Sequence, residues 1–122
     1  MNDLRSIPDY LMRGGTSKGL VFHEKDLPND RNLLTEDLLK IMGSPDIRQI
    51  NGIGGGTSVT SKVCIISKSL EKNVDIDYFF AQVEVDRKHV DYAPTCGNML
   101  SALGPFAIEE GLVETRNEIT QV

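Results

Sequence analysis

Apolar residues along this chain fall into short runs separated by glycine-rich and polar clusters, followed by one longer stretch at helical spacing. Tyr10-Leu11-Met12 and Leu20-Val21-Phe22 flank Arg13-Gly14-Gly15-Thr16-Ser17-Lys18-Gly19, a strand–turn–strand pattern that predicts a hairpin with a polar tip. Residues 26–31 are loop-like. Thr35-Glu36-Asp37 then opens an amphipathic helix with Leu34, Leu38, Leu39 and Met42 on its apolar face, and Gly43-Ser44-Pro45 stops it. Past a second glycine cluster at 51–57, Ser61 to Ile66 reads as a buried strand with Cys64 as a small core residue. Asp75 to Val85 reads as the next strand, with Lys88 to Tyr92 as its neighbour. A main helix is predicted from Gly97 to Glu110 with Gly111 as its C-cap, and Leu112-Val113 with Ile119-Thr120 suggest a final strand. Mostly antiparallel strands around one long apolar helix give an α+β domain.

The helix at 97–110 is the most apolar part of the chain. Met99, Leu100, Leu103, Phe106, Ala107 and Ile108 leave few polar faces, so it is expected to be buried within the domain. Pro105, beside Gly104, is expected to bend this helix or divide it in two. In either case Thr95-Cys96-Gly97-Asn98 places Cys96 at a helix start. Unpaired backbone N–H groups and the positive end of the helix dipole lie there, and both favour a thiolate. The same N–H groups, at Gly97 and Asn98, can hold a carboxylate.

At 122 residues, 39% hydrophobic and 25% charged, the chain suits one globular domain covering 1–122. A net charge of −5 argues against nucleic acid or an anionic membrane as a general partner. No apolar run approaches the ~20 residues needed to cross a bilayer, and the N-terminus lacks the apolar core of a signal peptide. Cys64 and Cys96 have no CxxC spacing, which fits a reduced, cytoplasmic protein. His23 and His89 are isolated, so no metal site is expected. GGTSKG lacks the phosphate-loop pattern, and the cluster at 52–56 lacks the strand–turn–helix setting of a dinucleotide fingerprint.

Four segments together resemble the PrpF family: MRGGTSKG at 12–19, the glycine-rich stretch from Met42 to Val63 ending in TSKV, the D-DY-FAQV pattern at 75–83, and CGNMLSALGPFAIEEGLV at 96–113. The resemblance implies a diaminopimelate-epimerase-like fold of two pseudo-symmetric domains, each wrapping strands around a central helix, with the site in the cleft between them. It implies Lys62 and Cys96 at a proton-transfer centre, with the loop containing Ser17 lining the same cleft. Its substrates are small unsaturated polycarboxylates such as 2-methylaconitate, methylitaconate or 4-oxalomesaconate, and no metal or organic cofactor is implied. Family members are much longer, so the match covers a single N-terminal domain, with the second domain and its anion-binding turn missing.

Such chemistry needs a base for a weakly acidic allylic C–H, stabilisation of a delocalised anion, and a proton donor at the far carbon. Lys62 and Cys96 are the candidates for proton transfer. Substrate carboxylates are expected to meet Arg13, Lys18 and Arg48, the backbone of Gly54, Gly55, Gly56, Gly97 and Asn98, and the hydroxyls of Ser17 and Thr57. The expectation is thus a cofactor-independent isomerase. The alternative is a catalytically silent half-site or anion-binding module with some tendency to form a homodimer. Amino-acid epimerisation, which in this fold uses opposing cysteines on two domains, is disfavoured because only one such position exists.

Overall fold

The computed structural model describes residues 5–116 and 119–122. Five strands and two α-helices alternate along it: β1 (Tyr10–Gly14), β2 (Ser17–His23), α1 (Arg31–Met42), β3 (Lys62–Lys68), β4 (Ile76–Val83), β5 (Val90–Asp91) and α2 (Gly97–Glu109). The strands form one sheet in chain order, β1-β2-β3-β4-β5. Three of the four pairings are antiparallel, but β2 and β3 run parallel. The long segment between them, containing α1, is what a parallel return requires; the tight hairpin turn can make only antiparallel neighbours.

Alternation along the strands divides the core into two layers. Leu20 and Phe22 of β2, Val63 and Ile65 of β3, and Ala81 and Val83 of β4 pack with Leu34, Leu38, Leu39 and Met42 of α1. Val21, Cys64, Ile66 and Phe80, at the intervening positions, pack on the other face with Met99, Leu103 and Phe106 of α2. The period of two therefore assigns each strand residue to one helix or the other.

Helix α1 begins four residues before the predicted opening at Thr35. Asp30 is its N-cap, accepting from the N–H groups of Asn32 at 2.9 Å and Leu33 at 3.0 Å. Thr35 lies inside the helix and bonds the Tyr92 hydroxyl at 2.7 Å. Both helices end in the same paired bonds beyond a left-handed glycine. Gly43 donates to Lys40 O and Ser44 to Leu39 O, while Gly111 donates to Ile108 O and Leu112 to Ala107 O.

Pro105 neither divides α2 nor ends it. It stands on the exposed side of the helix, where its ring meets no neighbouring layer. Only one face of α2 is covered: Met99, Ala102, Leu103, Phe106 and Ala107 are buried, whereas Leu100 is 45% exposed. Among the described residues no strand forms at the expected Leu112-Val113 or Ile119-Thr120.

Candidate active site

The parallel pairing of β2 with β3 brings two strand beginnings and one strand end to a single rim of the sheet. Gly19, Lys62 and Gln82 lie side by side across β2, β3 and β4. Ser17, two residues before Gly19, shares its face, and so do Lys62 and Gln82 by the alternation that carries Val21, Cys64 and Phe80 to α2. The N-terminus of α2 meets that rim, with Cys96 as the N-cap residue.

Close approach of α2 depends on Gly14. A Cβ there would stand 2.3 Å from Asn98 O and 2.9 Å from Met99 Cα, both backbone atoms that cannot swing aside. Gly15, at φ +54, leaves room for the Asn98 side chain, which donates from Nδ2 to Thr16 Oγ1 at 3.0 Å. The hairpin tip and the helix start thus clasp each other. Gly14→Ala is expected to lose about 1–3 kcal/mol of stability through overpacking and to displace Cys96; urea melts together with thiol reactivity measure both effects.

Cys96 is buried, with 9% of its surface exposed, and its Sγ lies 3.9 Å from the Ser17 hydroxyl. Burial alone pushes its thiol up, but the Met99 N–H, the Ser17 hydroxyl, the Lys62 ammonium and the Asn98 N–H outweigh it and leave the thiol below its ordinary value. The Cys96 side chain makes no capping hydrogen bond, so the N–H groups at the helix start act on its sulfur through their field and stay available to a ligand. The Cys96 N–H in turn reaches the Tyr78 hydroxyl at 3.4 Å. Cys64, fully buried on the same face, is pushed up to about 12, first by burial and then by the neighbouring Cys96. At neutral pH that leaves roughly a thousandth of the thiolate of an ordinary cysteine. Iodoacetamide is accordingly expected to modify Cys96 alone; peptide mapping that finds Cys64 modified at a comparable rate would contradict this environment.

Lys62 is half-buried and donates from Nζ to Gln82 Oε1 at 2.7 Å, with the ammonium 5.3 Å from the centre of the Phe80 ring. Ser17, Lys62 and Cys96 thus share one neighbourhood. Gly97, where a Cβ would meet nothing within 4 Å, opens this neighbourhood to solvent.

The remaining sequence candidates are engaged in contacts of their own, although Gly56 and Thr57 border a cavity that Gln82 also lines. Arg13 and Lys18 are cross-strand partners exposed on the opposite side of the hairpin, and Arg13 donates to Gly15 O at 3.0 Å. Arg48 is exposed in the loop after α1, its N–H held by Asp46 Oδ1. The amides of Gly54, Gly55 and Gly56 all have intramolecular acceptors: Met42 O, Thr60 O and Gln49 Oε1. Thr57 caps a single turn of 3₁₀ helix and pairs with Thr60 through its hydroxyl at 2.7 Å. The glycines serve packing instead: a Cβ at Gly54 would fall 2.1 Å from the Gln49 side chain.

Gln49 is the residue that sequence reasoning overlooked in this loop. Buried to 1% exposure, it donates to Ser44 Oγ and Ser61 Oγ and accepts from Gly56 N, joining the end of α1 to the start of β3. Gln82 and Tyr78 were also missed. Their visible trace was their alternation with Phe80, which puts all three on the α2 face. Among the described residues, cavities of about 250 to 550 Å³ include one of about 460 Å³ bordered by Gln82 and Thr57; Lys62 and Cys96 line none of these. Among the described residues no cluster of three His, Cys, Asp or Glu could hold a metal, and no helix is long and apolar enough to cross a membrane.

Comparison with known proteins gives this site a context. The family model described as PrpF protein matches residues 4–122. The 4-oxalomesaconate tautomerase of Pseudomonas putida is 55% identical over 116 residues, which are 95% of this chain and 32% of that protein. The 3-methylitaconate isomerase of Eubacterium barkeri is 45% identical over 122 residues, all of this chain and 32% of that protein. Among solved structures, a methylitaconate-delta-isomerase superposes with a TM-score of 0.92 at 46% identity, covering 95% of this chain and 30% of that one. The chain thus spans about a third of the length of these relatives.

Proposed function

The chain belongs to the PrpF family, and on that footing we propose that it carries the proton-transfer half of a cofactor-independent isomerase acting on small unsaturated polycarboxylates. The observation that carries this reading is the closeness of Lys62 and Cys96 on one rim, with Ser17, the first residue of β2, facing the Cys96 sulfur. One member of the pair removes an allylic proton, and the C–H electrons pass into a dienolate spread over the substrate carboxylate. The other returns a proton at the far carbon as the double bond moves. The Lys62 ammonium and the open N–H of Gly97 oppose the charge that gathers on the carboxylate. Relatives named for oxalomesaconate, methylitaconate and methylaconitate support this substrate class. A reduced compartment agrees with two free thiols.

A second reading is favoured by the openness of the rim. Gly97 is exposed and a Cβ there would meet nothing within 4 Å, so water reaches the edge of the site and weakens its electrostatics. The chain alone then binds polycarboxylates without turning them over, unless a second copy covers the site. Proton NMR with 2-methylaconitate in deuterated buffer separates the two. Deuterium entering the substrate supports catalysis. Line broadening without exchange supports the binding module, and neither effect from a folded chain removes the polycarboxylate reading.

A further inference from the structure

We infer that Gln82 is a positioning residue for Lys62, holding its Nζ over the rim through a side-chain amide whose orientation is fixed by two backbone carbonyls. The inference rests on the proposed role of Lys62 but stands on separate geometry. Gln82 faces Lys62 directly across the β3–β4 ladder. Its Oε1 accepts from Lys62 Nζ at 2.7 Å. Its Nε2 donates to Ser58 O at 2.9 Å and Ser61 O at 3.2 Å, so both amide protons have acceptors. A flipped amide would set its oxygen against two carbonyl oxygens and its NH₂ against the ammonium, three repulsive contacts in place of three bonds. The orientation is therefore determined by its surroundings.

The choice of an amide has a chemical meaning. A carboxylate at position 82 would form an ion pair, holding Lys62 in its charged form and cancelling the field offered to an anionic substrate. A neutral acceptor does neither. Both an ammonium and a free amine carry N–H bonds, so the contact with Oε1 survives loss or gain of the proton. Gln82 can thus keep Nζ in place through a full cycle of proton transfer. Ser58 and Ser61 belong to the turn that Gln49 braces from beneath, through Ser61 Oγ at 2.8 Å, so the seat of Lys62 is tied to the buried end of α1.

The test uses the chain with ¹³C-labelled lysine, the Lys62 Cε signal being assigned by its loss in Lys62→Arg. In the unmodified protein that signal is expected away from the exposed lysines, displaced by the Phe80 ring, and the Gln82 side-chain amide protons are expected to exchange slowly with water. Gln82→Met, which keeps length and removes all three bonds, should return the Lys62 signal to the exposed group. It should also lower the rate constant for deuterium incorporation into 2-methylaconitate by roughly a hundredfold with little change in KM, as for a displaced reacting group. A Lys62 signal that stays in place in Gln82→Met, or one that moves without affecting the rate, overturns the inference. Rapidly exchanging Gln82 amide protons in the unmodified chain overturn it as well, whether or not the variant folds. Absence of deuterium uptake by the unmodified chain speaks against the functional reading alone, because the two NMR signals still decide the role of Gln82.

Discussion

Lys62→Ala is expected to reduce deuterium incorporation into 2-methylaconitate by about 10²–10⁴-fold, the range associated with a positioned acid or base. Two losses combine in this variant. The ammonium leaves the rim, which on the proposed mechanism removes a proton-transfer group and a positive charge beside the substrate carboxylate. Cys96 also loses one of the neighbours that hold its thiol down, so a smaller fraction is thiolate at neutral pH. Iodoacetamide should consequently react more slowly with Cys96 in the variant, a readout independent of turnover. The fold should persist, because Lys62 is only half-buried and its apolar neighbours Val63 and Ile65 face α1. A folded Lys62→Ala protein with near-normal exchange would take Lys62 out of the reaction, and the same result for Cys96→Ala would take out the thiol.

The largest effect on stability is expected at Phe106. Its side chain is 1% exposed and fills the space between α2 and the first two strands. It meets Tyr10 edge-on at 5.4 Å between ring centres and His23 at 5.2 Å. Those two residues also bond Glu110 at the helix end, Tyr10 at 3.0 Å and His23 at 2.7 Å. Phe106→Ala removes the apolar half of that joint and leaves a cavity, at a cost of about 3–5 kcal/mol. This is a large part of the ~5–15 kcal/mol that ordinarily holds such a domain together. Urea titration should show the midpoint falling with little change in slope. A loss below about 1 kcal/mol would mean that the site relaxes around the missing ring and that α2 is held chiefly elsewhere.

Much of this architecture could be read from local pattern. The hairpin, α2 and the two middle strands each announce themselves through a run of apolar residues bounded by glycine or polar turns, and Cys96 falls at the helix start as expected. What escaped notice depends on contacts distant in sequence. Nothing in the runs themselves says that β2 and β3 are parallel; that follows from α1 crossing between them. Asp30 was hidden as a cap because Pro28 and Asn29 before it made the whole segment resemble a loop. Glycines 54–56 suggested an anion cradle by composition, yet their amides meet Gln49, Thr60 and Met42, acceptors that depend on how the loop folds back on itself and on the end of α1. Pro105 was judged by its usual penalty, which is tolerable on a helix face turned to solvent. Lys62, an ordinary edge lysine by pattern, gains its setting only from Gln82 and Phe80 across the ladder.

The parallel seam between β2 and β3 also dictates the order in which this site can come into being. Each flanking unit is local: β1 folds back on β2 through one turn, and β3 on β4 through residues 69–75. Either hairpin can begin to zip with little loop entropy. Joining them needs the whole segment from Glu24 to Ser61 to be closed, a slow and non-local event. Ser17 belongs to the first hairpin, Lys62 to the second, and Cys96 to a helix that rests on both. No partly folded intermediate containing either hairpin alone possesses the three together. A chain caught midway in folding therefore lacks the grouping of Ser17, Lys62 and Cys96, which is complete only once both hairpins and α2 have docked.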